Sequence, residues 1–217
     1  SVLNKHRVDV APEELVRVVV AIDPPATSSE DSSEAGIVVV GSTADGCAYV
    51  IADGSLHGTP DEWGRQAVRL YDQFKADQIV GEVNNGGDMV GFTVKECAKA
   101  LHREGEREIN VVPYVPVRAS RGKLTRAEPI AALYSQGRVR HVGLYTDLED
   151  QLTSWVPGEQ SPDRLDALVW ALTALVLYGS NDIETWGGTG SKQDGGEYVR
   201  EVARHDGVWF PPSQSKW

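Results

Sequence analysis

Residues 15–23 read LVRVVVAID and run into Pro24-Pro25. A β-branched run closed by prolines is a buried strand ending in a loop, so this stretch delivers Asp23 at a strand's carboxyl end. Working outward, the polar segment TSSEDSSE (27–34) is a loop. GIVVVG (36–41) and CAYVIA (47–52), separated by Asp45-Gly46, are two further strands. Three strands in succession imply an antiparallel meander.

The period then changes. Thr59-Pro60-Asp61-Glu62 combines an N-cap threonine, proline at the first helical position and glutamate at the third. A helix to about Lys75 follows, with Trp63, Ala67, Leu70, Tyr71 and Phe74 on one face. QIVGEV (78–83) is a short strand carrying Glu82 into Asn84-Asn85-Gly86-Gly87. Residues 88–102 are helical in composition, and INVVPYVPV (109–117) is another strand. The order βββαβαβ describes an α/β fold with a mixed sheet flanked by helices.

Toward the carboxyl end a helix is expected over 123–136, with Pro129 in its first turn or at a kink. A short strand at 139–142 and a helix at 146–155 capped by Thr146 come next. Ser161-Pro162 opens the longest apolar helix, 163–178, whose buried stripe is Leu165, Leu168, Val169, Leu172, Leu175 and Val176. Residues 15–178 form the domain and residues 1–14 read as a linker remnant. Residues 179–217, rich in Gly, Ser and charge, read as a flexible tail or partner-binding segment with an amphipathic stretch at 197–210. The first residue is Ser1 and the sole methionine is Met89, which suggests a piece of a longer or processed polypeptide.

With 217 residues, 41% hydrophobic and 24% charged, the chain suits one globular domain with appendages. Its formal charge of −11 argues against holding polyanions by bulk charge, so any nucleic-acid contact must be local. Cys47 and Cys97 have no Cys or His partner at ligand spacing, so neither a zinc site nor a disulfide framework is suggested, and a reducing cytoplasm fits best. No apolar run approaches the roughly 20 residues of a membrane span.

Asp23, Glu82, Asp163 and Asp166 stand where a fold can gather them. Carboxyl ends of strands in one sheet share an edge where ligands collect, provided the strands of Asp23 and Glu82 are neighbours. Positions 163 and 166 project from nearly the same helical face. Clustered carboxylates repel, and a hard divalent cation, Mg²⁺ or Mn²⁺, relieves this through oxygen ligands. Two such ions clamp the attacking water and the leaving oxygen of a phosphodiester, so the implied reaction is metal-assisted hydrolysis. Each residue also has a structural reading. Asp23 before proline can end a strand by bonding its loop, Asp163 can serve the helix dipole, and Asp166 can pair with Arg164 or Arg126. Glu82 is harder to explain structurally, because a glutamate at the end of an apolar strand is costly to bury unpaired.

The runs VVVAIDPPAT, VGEVNNGG, RASRGKLTRAEPIAALYSQGRVRHV and SPDRLDALVWALTAL, in this order, resemble the carboxyl-terminal nuclease domain of the large terminase subunit of tailed bacteriophages. The resemblance covers about residues 15–178. It implies an RNase H-like fold and an endonuclease that cuts concatemeric viral DNA during genome packaging with two Mg²⁺ or Mn²⁺ ions. On that resemblance Asp23 matches the first metal-binding aspartate, Glu82 the second acidic ligand and Asp166 the late aspartate. Family members differ in whether the position of Asp163 touches metal. The family's amino-terminal packaging ATPase has no counterpart here, for no G-x-x-x-x-G-K-[S/T] occurs in the chain.

Basic residues concentrate at Arg118, Arg121, Lys123, Arg126, Arg138, Arg140 and His141, a span with Glu128 as its one acid. This is the expected phosphate-contacting side. Lys123 and Arg126, with Arg121, are the candidate phosphate contacts, and an ordinary solvated face is the competing reading for Arg138 and Arg140. Trp63, Trp155 and Trp170 fall on apolar helix faces and belong to the core.

The expectation is a two-metal endodeoxyribonuclease with weak, sequence-tolerant affinity for double-stranded DNA, acting in the host bacterial cytoplasm. The resemblance implies the packaging ATPase of the same subunit, portal protein and small terminase as partners. Two alternatives remain open at this level: another RNase H-like nuclease of the junction resolvase or transposase type, separable by a substrate panel, and a non-catalytic packaging interaction module, in which Asp23→Ala affects stability alone.

Overall fold

The computed structural model describes residues 2–24, 34–83, 89–117, 123–156 and 158–177, of which residues 123–126 are described by backbone alone. The strands are β1 Arg17–Asp23, β2 Glu34–Ser42, β3 Ala48–Asp53, β4 Leu56–His57, β5 Gln78–Glu82, β6 Tyr114–Val117 and β7 Val139–His141. The helices are α1 Val2–His6, α2 Pro60–Gln73, α3 Met89–Arg103, α4 Lys123–Ser135, α5 Thr146–Ser154 and α6 Asp163–Leu172. Six strands lie in the order β6-β5-β1-β2-β3-β7, and β4 pairs off this path with the start of β2. The β1–β2 and β2–β3 pairs are antiparallel, as a meander requires, while β5 lies parallel to β1, β6 to β5 and β7 to β3. This is the mixed α/β sheet of an RNase H-like fold.

The β1 run is apolar throughout because both its faces are covered, and strand alternation divides it between two cores. Val19 and Ala21 join Val38, Val40 and Val80 under α6, together with Leu165, Leu168 and Trp170. Val18, Val20 and Ile22 join Ile37, Val39 and Ile79 under α2 and α3, with Trp63, Ala67, Val94 and Leu101. Trp155 packs against the first of these cores. The capping box forms as expected: the Thr59 side chain accepts from the Glu62 N–H, and the Glu62 carboxylate accepts from the Thr59 N–H at 2.8 Å. Both cysteines are free thiols.

Several elements differ from expectation. β6 is four residues long rather than nine, because Val112 is buried and pairing with β5 begins where the Pro113 carbonyl accepts the Ile79 N–H at 2.8 Å. Pro129 lies beyond the first turn of α4, exposed, at the cost of one helical hydrogen bond. Thr146 is already the first helical residue of α5 and caps nothing; the Glu149 carboxylate instead reaches back to the Tyr145 N–H at 3.3 Å. The last helix is α-helical only to Leu172. Residues Thr173–Leu177 form a π-helical turn that keeps Ala174, Leu175 and Val176 against the core in succession. The two-residue β4 is too short for a sequence pattern to mark it.

The segment read as linker packs against the domain. Leu3 is buried in the α6-side core, and Val8 bridges Val142 in parallel, extending the sheet edge beyond β7. The tail from 178 onward, with the stretch at 197–210, lies outside the described residues. Among the described residues, no helix is long and apolar enough to cross a membrane.

Candidate active site

Register and parity set the backbones of the acidic positions on adjoining elements. β1 and β5 pair in parallel as far as Ile22 and Gly81, and Asp23 and Glu82 are the residues that follow this last pair on the two neighbouring strands. Alternation puts Asp23 on the face of Val19 and Ala21, and Glu82 on the face of Val80, which is the face that α6 covers. Across β2, Asp23 pairs with Gly36. Gly36 is the seat of the last helix: a Cβ there would lie 2.0 Å from the Asp163 carbonyl oxygen and 2.7 Å from the Arg164 nitrogen. The first turn of α6 therefore rests on the backbone directly beside Asp23, and that turn carries Asp163 and Asp166.

Asp23 and Asp166 are 8% and 7% exposed, whereas Glu82 and Asp163 are half-buried. The Ser161 hydroxyl donates to Asp166 Oδ2 at 2.5 Å, and the Asp166 N–H closes the turn to the Pro162 carbonyl. Arg164, one of the partners considered for Asp166, is engaged by Glu34 and Asp53. Among the described residues, no three Asp, Glu, His or Cys side chains are gathered as a ready-made metal site. The residue types at these positions are carboxylates, the oxygen donors a hard cation takes, and the contact at Gly36 sets the helix start beside the end of β1.

The basic region divides. Arg118 and Arg121, and the side chains of Lys123 and Arg126, lie outside the described residues. Arg138 donates to the Gly46 carbonyl at 2.9 Å, and Arg140 donates to the Tyr49 hydroxyl at 3.2 Å while lying over its ring. His141 is a correction. It is 1% exposed and cannot belong to a phosphate-contacting surface, because strand alternation sends it to the core with Val139. There it bonds Glu149 through Nδ1 at 2.9 Å and the Tyr134 hydroxyl through Nε2 at 2.7 Å. Arg7 closes this network with a bidentate pair to Glu149, at 2.7 Å to each oxygen. Burial alone would raise the Glu149 pKa, but the hydrogen bonds from Arg7 and His141 outweigh it and hold the carboxyl at about 2. Sequence reasoning missed this network and the one around Arg164. The apolar Val139, two positions before His141 on the same strand face, was the available signal for the histidine.

The family model of the terminase RNase H-like domain matches residues 20–175. The fold is similar to the human cytomegalovirus terminase nuclease domain, with a TM-score of 0.53 and 14% identity over 78% of this chain and 89% of that one. It is also similar to the large terminase of a thermophilic bacteriophage, with a TM-score of 0.53 and 12% identity over 79% of this chain. The chain spans 43% of that subunit. No curated protein matches the chain. The matched stretch runs from β1 through the seat at Gly36 to the π-helical turn after α6, and by that match the chain belongs to the terminase RNase H-like domain family.

Proposed function

We propose that this chain is a metal-dependent endodeoxyribonuclease that cuts concatemeric viral DNA during genome packaging. The observation that carries the reading is the seating of the α6 first turn on Gly36, the pairing partner of Asp23, in a sheet where Asp23 and Glu82 end neighbouring strands. Asp23, Glu82 and Asp166, with Asp163 beside them, would hold two Mg²⁺ or Mn²⁺ ions. Bound there, the ions supply Lewis-acid charge at the scissile phosphodiester. The protein orients the carboxylates from two rigid strands and one helix start, and the Ser161 hydroxyl fixes one oxygen of Asp166. Lys123, Arg126 and Arg121 steady the phosphate of the strand to be cut. The substrate is double-stranded DNA, held weakly and without sequence preference. The partners are the packaging ATPase of the same subunit, portal and small terminase, in the host bacterial cytoplasm.

Plasmid digestion with Mn²⁺, Mg²⁺ or EDTA, repeated on Asp166→Asn, tests the reading. The substitution keeps the shape of the side chain and an acceptor for Ser161, so the fold is retained. Nicking and linearisation are expected with either metal, none with EDTA, and a loss of about 100-fold or more in the variant. Cleavage that survives EDTA, or full activity of Asp166→Asn, overturns the proposal.

A further inference from the structure

We propose that Arg164 is a positioning residue for the acidic set, holding the first turn of α6 at a fixed height over Asp23; this rests on the metal reading above. Arg164 lies between Asp163 and Asp166 in that turn. Its guanidinium donates from Nε and Nη2 to the two oxygens of Glu34, at 2.9 and 2.6 Å, and from Nη1 to Asp53 at 2.5 Å. Glu34 opens β2 two residues before Gly36, and Asp53 closes β3, so one side chain ties the helix start to two strands.

Each anchor is itself fixed. Glu34 accepts from Gln151 Nε2 at 3.0 Å, and the same Gln151 amide accepts the Leu165 N–H at 3.4 Å, which draws α5 into the clamp. Asp53 accepts from the Ser55 hydroxyl at 2.6 Å and the Ser55 N–H at 3.1 Å, and Ser55 in turn accepts the Ile37 N–H. Arg164 and Glu34 side chains are 13% and 14% exposed, which limits screening by solvent. A planar fork engaging both carboxylate oxygens restricts orientation as well as distance.

The position of the helix is thus bounded from two sides. The backbone contact at Gly36 stops α6 from moving closer to β2, and Arg164 stops it from moving away. The distance from Asp166 to the strand carrying Asp23 is what both constraints set. Groups that orient metal ligands without touching metal typically change affinity about 10–100-fold.

The test is Mn²⁺ titration of the full chain by calorimetry, with thermal unfolding of the same samples. Arg164→Gln, measured below its unfolding temperature, is expected to bind Mn²⁺ about 10-fold more weakly, with Arg164→Lys in between because it keeps the charge and loses the fork. Asp53→Asn removes one anchor and decides the matter if Arg164→Gln does not fold; it is expected to weaken Mn²⁺ binding in the same direction. A purely structural role lowers the unfolding temperature and leaves Mn²⁺ affinity where it was. Unchanged affinity in a folded variant overturns the clamp and spares the metal reading, whereas absence of Mn²⁺ binding by the unaltered chain overturns both.

Discussion

At the scale of single residues, His141 carries a defined proton. With Glu149 an acceptor at Nδ1, the proton sits on Nδ1, and Nε2 accepts from the Tyr134 hydroxyl. Burial lowers the His141 pKa, and the opposing pull of Glu149 does not restore it. A base whose folded pKa lies below its unfolded value of about 6.5 makes the unfolded chain the better proton acceptor. This contribution to stability is therefore complete above that value and diminishes as the pH falls through it. Nitrogen-correlated NMR of the imidazole at pH 6 should show the neutral Nδ1–H tautomer, with a titration midpoint below that of a free histidine. A midpoint above 6.5 contradicts this account. Counting basic residues along positions 118–141 obscured this, because a count takes no notice of which face of a strand each side chain occupies. The alternation of Val139, Arg140 and His141 contains the answer.

At the scale of elements, what was legible was local. The four residues that cap α2 are neighbours in the chain, and the reciprocal bonds between Thr59 and Glu62 that form the cap are made within that turn. Thr59→Ala should cost about 1 kcal/mol in urea unfolding, whereas Thr146→Ala, which removes no side-chain cap, should stay within about 0.5 kcal/mol. Equal losses in the two variants would show that the assignment of the caps is wrong. The antiparallel meander of β1, β2 and β3 was legible for a similar reason, since short connections restrict which strands can lie side by side, whereas the adjacency of β1 and β5 was a condition the sequence left open. The clamp on α6 was not legible. Its bonds join Arg164 to residues 111 and 130 positions away, and no local pattern distinguishes Glu34 from the other acids of a polar loop. Likewise, Gly36 looked like the opening residue of a strand, and its role emerges only when α6 rests on it.

At the scale of the whole molecule, charge opposes the proposed substrate. The chain carries −11, so DNA and protein repel at long range and attraction must come from a few local cations. With Arg121, Lys123 and Arg126 as the contacts, release of counterions from three phosphates gives a slope of about −3 for log K against log salt concentration. Binding of a linear duplex, followed by fluorescence anisotropy with Ca²⁺ or Mn²⁺ present, should therefore be weak and only moderately sensitive to salt. Removing the divalent ion should weaken it further, because Asp23, Glu82, Asp163 and Asp166 then set negative charge against the phosphates with no cation between them. Tight binding in EDTA, or a slope near −8, would place the DNA on a larger basic surface and break the link between acidic frame and substrate. Weak binding is also what the proposed function requires if the packaging ATPase delivers the duplex. A motor that already holds the duplex presents it at high effective concentration, so the cutting domain needs little affinity of its own. On the proposed reading an acidic domain would release DNA that is not being cut, and control of cleavage would lie in delivery.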